Sequence, residues 1–122
     1  MPKTTYGQSH VPLSPAVRAG DFIYTSGQVP ARADGSMEDG GIEAQTRQVM
    51  ENVKNALALA GADLADVVKT TVWIEDARDF GPFNKVYAEF FPVEPPARTT
   101  VESRLMLDIK IEVEAVAYRP LK

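Results

Sequence analysis

Arg98 and Glu112 are the side chains whose type and setting lend themselves most directly to chemistry. Pro95-Pro96 and then Ala97 precede Arg98, and the two prolines restrict the backbone on its way to the arginine. A guanidinium ordered in this way presents a planar fork that matches a carboxylate bidentately. Glu112 lies in a run, residues 109–118, that alternates strictly. Ile109, Ile111, Val113, Ala115 and Ala117 share one side; Lys110, Glu112, Glu114, Val116 and Tyr118 share the other. One glutamate close to an anion clamp can serve as a general base. By spacing alone the plainer readings are at least as good: a solvated polar strand face for Glu112 and Glu114, and a surface ion pair or phosphate contact for Arg98.

Most other chemistries are excluded by what the chain lacks. It has no cysteine, which removes disulfides, thiolate nucleophiles and cysteine metal sites. Its single histidine, His10, falls in an arm expected to be mobile and solvated, and a zinc site would then need an all-carboxylate set that zinc does not favour. Glu38-Asp39 abuts Gly40-Gly41 and reads as loop decoration near a helix start. Ser26, at a strand end before Gly27, has no histidine placed to activate it. There is no glycine-rich phosphate loop, no Gly-x-Ser-x-Gly elbow and no dinucleotide fingerprint. No cofactor and no metal are expected.

The net charge of −4, with Lys and Arg scattered rather than clustered, argues against nucleic acid as a partner. A chain of 122 residues, 44% hydrophobic and 25% charged, is expected to be one globular domain spanning residues 1–122. The first nine residues are polar and lack the apolar core of a signal peptide, and no apolar run approaches the roughly 20 residues of a membrane helix. A soluble, cytoplasmic protein with no membrane contact is the expectation.

The elements that must position these residues follow from periodicity. Residues 16–18 and 22–26 read as short strands joined by the Ala19-Gly20-Asp21 turn, and residues 33–41 as a surface loop. Ile42, Val49, Val53, Leu57 and Ala60 form a helical stripe that ends at Gly61. Residues 67–74 alternate, with Val68, Thr70, Val72 and Ile74 on one face, and their β-branched content favours a strand. Asp79 is placed to cap a second helix in which Phe83, Val86, Tyr87 and Phe90 share a face, and Pro92 ends it. Strands are expected at 101–105 and 109–118. Two helices then cover one face of a mixed sheet, and the apolar Trp73, Val116 and Tyr118 on the other face point to a homo-oligomer.

Several motifs carry a specific resemblance. Pro96-Ala97-Arg98-Thr99-Thr100-Val101-Glu102, followed by Lys110-Ile111-Glu112-Val113-Glu114-Ala115, resembles the C-terminal signature of the RidA/YjgF family of reactive-intermediate deaminases. The likeness extends to Tyr24-Thr25-Ser26-Gly27-Gln28-Val29-Pro30, Glu51-Asn52-Val53-Lys54, Val68-Lys69-Thr70-Thr71-Val72 and Phe83-Asn84-Lys85-Val86-Tyr87, in order along nearly the whole chain. It implies an α+β, chorismate-mutase-like (bacillus type) domain with a mixed six-stranded sheet and two helices on one face. It further implies a homotrimeric barrel assembly with small-molecule clefts at the subunit interfaces.

The activity implied is hydrolysis of enamine/imine intermediates such as 2-aminoacrylate to 2-oxo acids and ammonia, by a cofactor-independent hydrolase acting on C–N bonds. By the same resemblance Arg98 binds the substrate carboxylate and Glu112 activates the water. Ser26, Gly27, Asn84, Thr100 and Leu13 line the cleft. Leu13 and Thr100 stand where family deaminases carry a tyrosine and a cysteine, the stretch between Arg98 and Glu112 is one residue shorter, and residues 103–107 lack the usual Leu-Pro pair. Leu13 suits a more apolar substrate, and any adjustment for the shortening is expected at 104–108. The alternatives are a small-molecule (2-oxo acid) binding or holdase-like module with little catalysis, or a deaminase for a larger catabolic enamine such as an aminomuconate.

Overall fold

The computed structural model describes residues 2–121. Helix α1 (Ile42–Leu59) buries Val49, Met50, Val53, Ala56 and Leu57, the three- and four-residue spacing of a core-facing stripe. It stops at Gly61, whose φ of +82° lies in the left-handed region. The Gly61 N–H then reaches Ala58 O and the Ala62 N–H reaches Leu57 O, both at 3.0 Å, which satisfies carbonyls the helix would otherwise leave open. Helix α2 (Phe80–Phe90) buries Phe83, Val86 and Tyr87 and gives way at Phe91, just before Pro92.

Asp79 occupies the position before α2 but makes no capping bond. Its backbone (φ −85°, ψ 1°) is already turning, whereas a cap needs extended backbone. Asp76 has that geometry, and its carboxylate accepts the Arg78 N–H at 2.9 Å, capping the 3₁₀ turn Ala77–Asp79 that leads into α2. The expected cap is therefore displaced by three residues.

Six strands form one sheet: β1 (Thr4–Tyr6), β2 (Ala16–Ala19), β3 (Phe22–Thr25), β4 (Val67–Ile74), β5 (Ala97–Glu102) and β6 (Ile111–Tyr118). Their order is β1-β2-β3-β6-β4-β5. Only β4 and β5 run parallel, joined by the crossover through α2, so the sheet is mixed as expected. The last strand begins at Ile111 rather than at 109, and three other elements differ from the periodicity reading. Thr4–Tyr6 is a strand at one edge, too short and too polar to show alternation. β5 begins at Ala97 rather than 101, because a proline pair is compatible with the mouth of an edge strand even though it reads as loop. In β4 an irregularity between Val67 and Lys69 buries Val67 and exposes Val68, reversing the expected phase for the first residues only.

The core lies between the helices and the sheet, with Phe83, Ile23, Met50, Leu57 and Ile111 fully buried. No helix among the described residues covers the far face of the sheet. Tyr24 and Tyr118 are nearly half exposed there, and Trp73 and Val116 are partly so.

Gln45 couples the start of α1 to the start of β6. It is buried, its Nε2 donates to Gly40 O at 3.0 Å, and its Oε1 accepts the Lys110 N–H at 2.8 Å. Gln45→Leu leaves Gly40 O and the Lys110 N–H without their side-chain partner and is expected to destabilise the fold by about 1–3 kcal/mol. Urea unfolding reads this as a lower midpoint at unchanged slope; an unshifted midpoint would contradict the coupling.

Candidate active site

Arg98 reaches its position through the pairing of β5 on β4. It lies in register with Thr70, a fully buried residue on the helix-covered face, so the arginine projects toward α2. Its guanidinium carbon sits 4.9 Å from the Tyr87 ring centre, 5.2 Å from Phe83 and 5.5 Å from Phe80. Tyr87 is anchored in turn by a 2.7 Å hydrogen bond between its hydroxyl and Thr70 Oγ1. Burial pushes the Tyr87 phenol up, against the opposing effects of Thr70 and of the arginine charge. None of the ion pairs among the described residues involves Arg98. Beside it opens a cavity of about 490 Å³ whose walls include Asn84, Phe91, Pro95 and Pro96. Thr100, two residues along the same face, has a buried hydroxyl with no hydrogen-bond partner.

Glu112 belongs to a second group. In β6, Ile111, Val113, Ala115 and Ala117 are buried against the helices, and the intervening glutamates look the other way. Gln28 and Val113 exchange two backbone hydrogen bonds, at 2.7 and 3.1 Å, and so press the Ser26-Gly27 corner against Glu112. The approach is close enough that a methyl on Gly27 would overlap Glu112 Oε2 and lie 3.0 Å from its Cδ. The corner is held from the other side by Ser26, whose hydroxyl donates to Ser14 O at 2.7 Å and whose N–H donates to Pro15 O at 3.0 Å. These bonds place the loop bearing half-exposed Leu13 beside the corner. Trp73, Ser103, Arg104, Leu105 and Met106 form a shallow hollow with Glu112. Burial first, and then the Glu114 charge, raise the Glu112 carboxyl above its ordinary value.

The residues singled out in the sequence therefore fall into two sets. Ser26, Gly27, Glu112 and the Leu13 loop come together, and so do Asn84 and Arg98, whereas Thr100 is not in the wall of their cavity. Arg98 and Glu112 do not meet: Arg98 is level with Thr70 and Ala115 on the helix face, while Glu112 is level with Trp73 on the open face. The aromatic wall around Arg98 is not apparent in the sequence reading, which takes Phe83 and Tyr87 as part of a core-facing stripe and does not single out Phe80. The spacing of residues 80, 83 and 87 on one helix was the available signal. Among the described residues no group of three His, Cys, Asp or Glu could hold a metal, and no helix is long and apolar enough to cross a membrane.

Residues 6–119 match the protein family described as Endoribonuclease L-PSP. A RutC family protein of Pyrococcus horikoshii is 48% identical over 110 residues, covering 88% of this chain and 87% of its own length. The 2-iminobutanoate/2-iminopropanoate deaminase of Escherichia coli is 41% identical over 112 residues, with 88% of each chain covered. Among solved structures, Escherichia coli TdcF with bound serine superposes with a TM-score of 0.89 at 33% identity, over 95% of this chain and 98% of that one.

Two substitutions test the environment of Glu112. Gly27→Ala is expected to keep the fold, since only the end of a flexible side chain must move, and to drive the carboxyl toward solvent. Glu114→Gln removes the like charge. Each lowers the Glu112 pKa toward the ordinary carboxylate range, read by side-chain carboxyl NMR titration; midpoints unchanged in both would refute this account.

Proposed function

The chain belongs to the Endoribonuclease L-PSP family, that of the YjgF/RidA proteins, and from that premise we propose that it hydrolyses small imines bearing a carboxylate, of the 2-aminoacrylate kind, to 2-oxo acids and ammonia. The observation that carries this reading is Arg98: a cation in the wall of a cavity, without an acidic partner among the described residues. Such a fork binds a carboxylate without first giving up another one. A deaminase among the relatives, and serine bound to a solved one, agree with a small carboxylate-bearing ligand.

In this reading Arg98 holds the substrate carboxylate, and Asn84 offers a polar contact beside it. Glu112 accepts a proton from water as the oxygen bonds to the imine carbon, forming a tetrahedral carbinolamine. It returns that proton to the nitrogen and then takes the hydroxyl proton as the C–N bond breaks and the C=O bond forms, passing it to the departing ammonia. A protonated imine and water thus leave as the 2-oxo acid and ammonium. A raised Glu112 pKa suits the first half of that exchange, because it makes the carboxylate a better base. Ser26 and Gly27 fix where that carboxylate sits. The protonated imine is already electrophilic, so placement and one activated water supply most of what is needed.

Since one chain directs Arg98 and Glu112 to opposite sheet faces, a site that uses both joins two copies, Arg98 from one and Glu112 from the next. The uncovered face with Tyr24, Trp73, Val116 and Tyr118 supplies the apolar surface for such an assembly, which we take to be the homotrimer. Arg98→Ala and Glu112→Gln are each expected to cut turnover of 2-aminoacrylate generated in situ by about 10²-fold or more. When the two variants are refolded together, roughly a quarter of the interfaces pair an intact Arg98 with an intact Glu112 and activity returns. A mixture that stays inactive while wild type recovers under the same conditions would sink the composite site, and a fully active Arg98→Ala would sink the anchor.

The Arg98 cavity is complete within one chain, which also favours a second reading, a 2-oxo acid-binding module with little catalysis. Thermal stabilisation by 2-oxo acids with no turnover of any imine would select it.

A further inference from the structure

Resting on the reading of Arg98 as carboxylate anchor, we propose that Phe80 is a positioning residue: with Phe83 and Tyr87 it forms an aromatic cradle that orients the Arg98 guanidinium and leaves its N–H donors free for the substrate. The three rings project from α2 at spacings of three and four residues and stand 4.9–5.5 Å from the guanidinium carbon. Those distances lie within the reach of cation–π attraction. A partly buried arginine ordinarily takes a carboxylate or backbone carbonyls as partners, and each would occupy the fork. Ring faces attract the cation through their quadrupole and claim none of its in-plane N–H groups for a conventional hydrogen bond. The same rings keep water from part of the guanidinium, which strengthens its pull on an incoming carboxylate.

The cradle is itself held. Phe83 is fully buried and packs 5.3 Å from Tyr87, centre to centre, and Tyr87 is tied to Thr70. Phe80 stands 6.4 Å from Phe83 and is 43% exposed. It is the rim of the cradle, the ring a core does not require. Phe83 and Tyr87 would be in these positions as core residues whether or not an arginine were present. Phe80 alone has its placement explained by the cation more than by packing, and it is the member that can be changed without unfolding the protein.

The test compares wild type, Phe80→Leu, Phe80→Tyr and Arg98→Ala. Binding of 2-oxobutanoate is measured by calorimetry, KM and kcat by imine turnover, and folding by thermal melts. Phe80→Leu is expected to melt near wild type, to bind 2-oxobutanoate about two- to tenfold more weakly and to raise KM with kcat unchanged, the pattern of an interaction made equally in ground and transition states. Phe80→Tyr keeps the ring face and is expected to match wild type. If Phe80→Leu binds as wild type while Arg98→Ala does not, the cradle is overturned and the anchor stands. An equal loss in Phe80→Tyr and Phe80→Leu, or a fall in kcat alone, overturns it as well. If Arg98→Ala binds like wild type, the anchor itself has failed, and the cradle falls with it.

Discussion

The pleat of β6 governs the rest of this molecule. That strand is hydrogen-bonded on both sides, to β3 and to β4, and its inward residues Ile111, Val113, Ala115 and Ala117 supply the floor on which α1 rests. A slip of one residue would turn those side chains out and bring glutamates into the core, so the register is held by the whole hydrophobic driving force of the domain. Glu112 and Glu114 are on the open face as a consequence of that packing. The Ser26-Gly27 corner is pinned to the same strand through Gln28 and Val113, which is why the corner and the glutamate are neighbours although residues 28–111 separate them in sequence.

The same alternation acts on β5 with the opposite outcome. Parallel pairing puts Arg98 level with Thr70, a position on the helix face, and α2 then closes over the arginine with aromatic side chains. The two charged groups thus occupy different dielectric settings. The carboxyl of Glu112 is partly withdrawn from water next to a like charge, which raises its pKa, while the Arg98 cation lies among rings that attract it without neutralising it. A charged pair in contact would have cancelled both properties. Keeping the sheet between them leaves a carboxylate with a raised pKa on one face and a cation without an acidic partner on the other.

Much of this was legible from the residues. The α1 stripe, its Gly61 terminus, the Gly20 hairpin and the alternation of β6 were all visible because each obeys one local rule, a period of 3.6 or of two or a turn that needs glycine. The misreadings arose where a local rule was overridden by a partner. Thr4–Tyr6 is extended because β2 offers it an edge. β5 starts at Ala97 because β4 is there to pair with it from Lys69 onward. The start of β4 changes phase because β6 opposes two residues with one. Asp76 caps in place of Asp79 because the 3₁₀ turn ahead of α2 uses up the extended backbone earlier. None of these partners is visible in the segment it alters.

For the site, the division is similar. Residue type and spacing determined by themselves that the chain carries a proline-ordered arginine and a glutamate on the polar side of a buried strand, and that it has no cysteine and no glycine-rich phosphate-loop motif. The motif order along the chain was enough to indicate the family. Only the tertiary structure decided that Arg98 and Glu112 face away from each other, that Gly27 is a glycine because Glu112 occupies the space of its Cβ, and that α2 surrounds the arginine with rings. The physical reason is that a side chain's facing is set by the register of its strand against its neighbours. Register is a relation between distant segments, settled by which arrangement buries the most apolar surface, and no single stretch of sequence contains it.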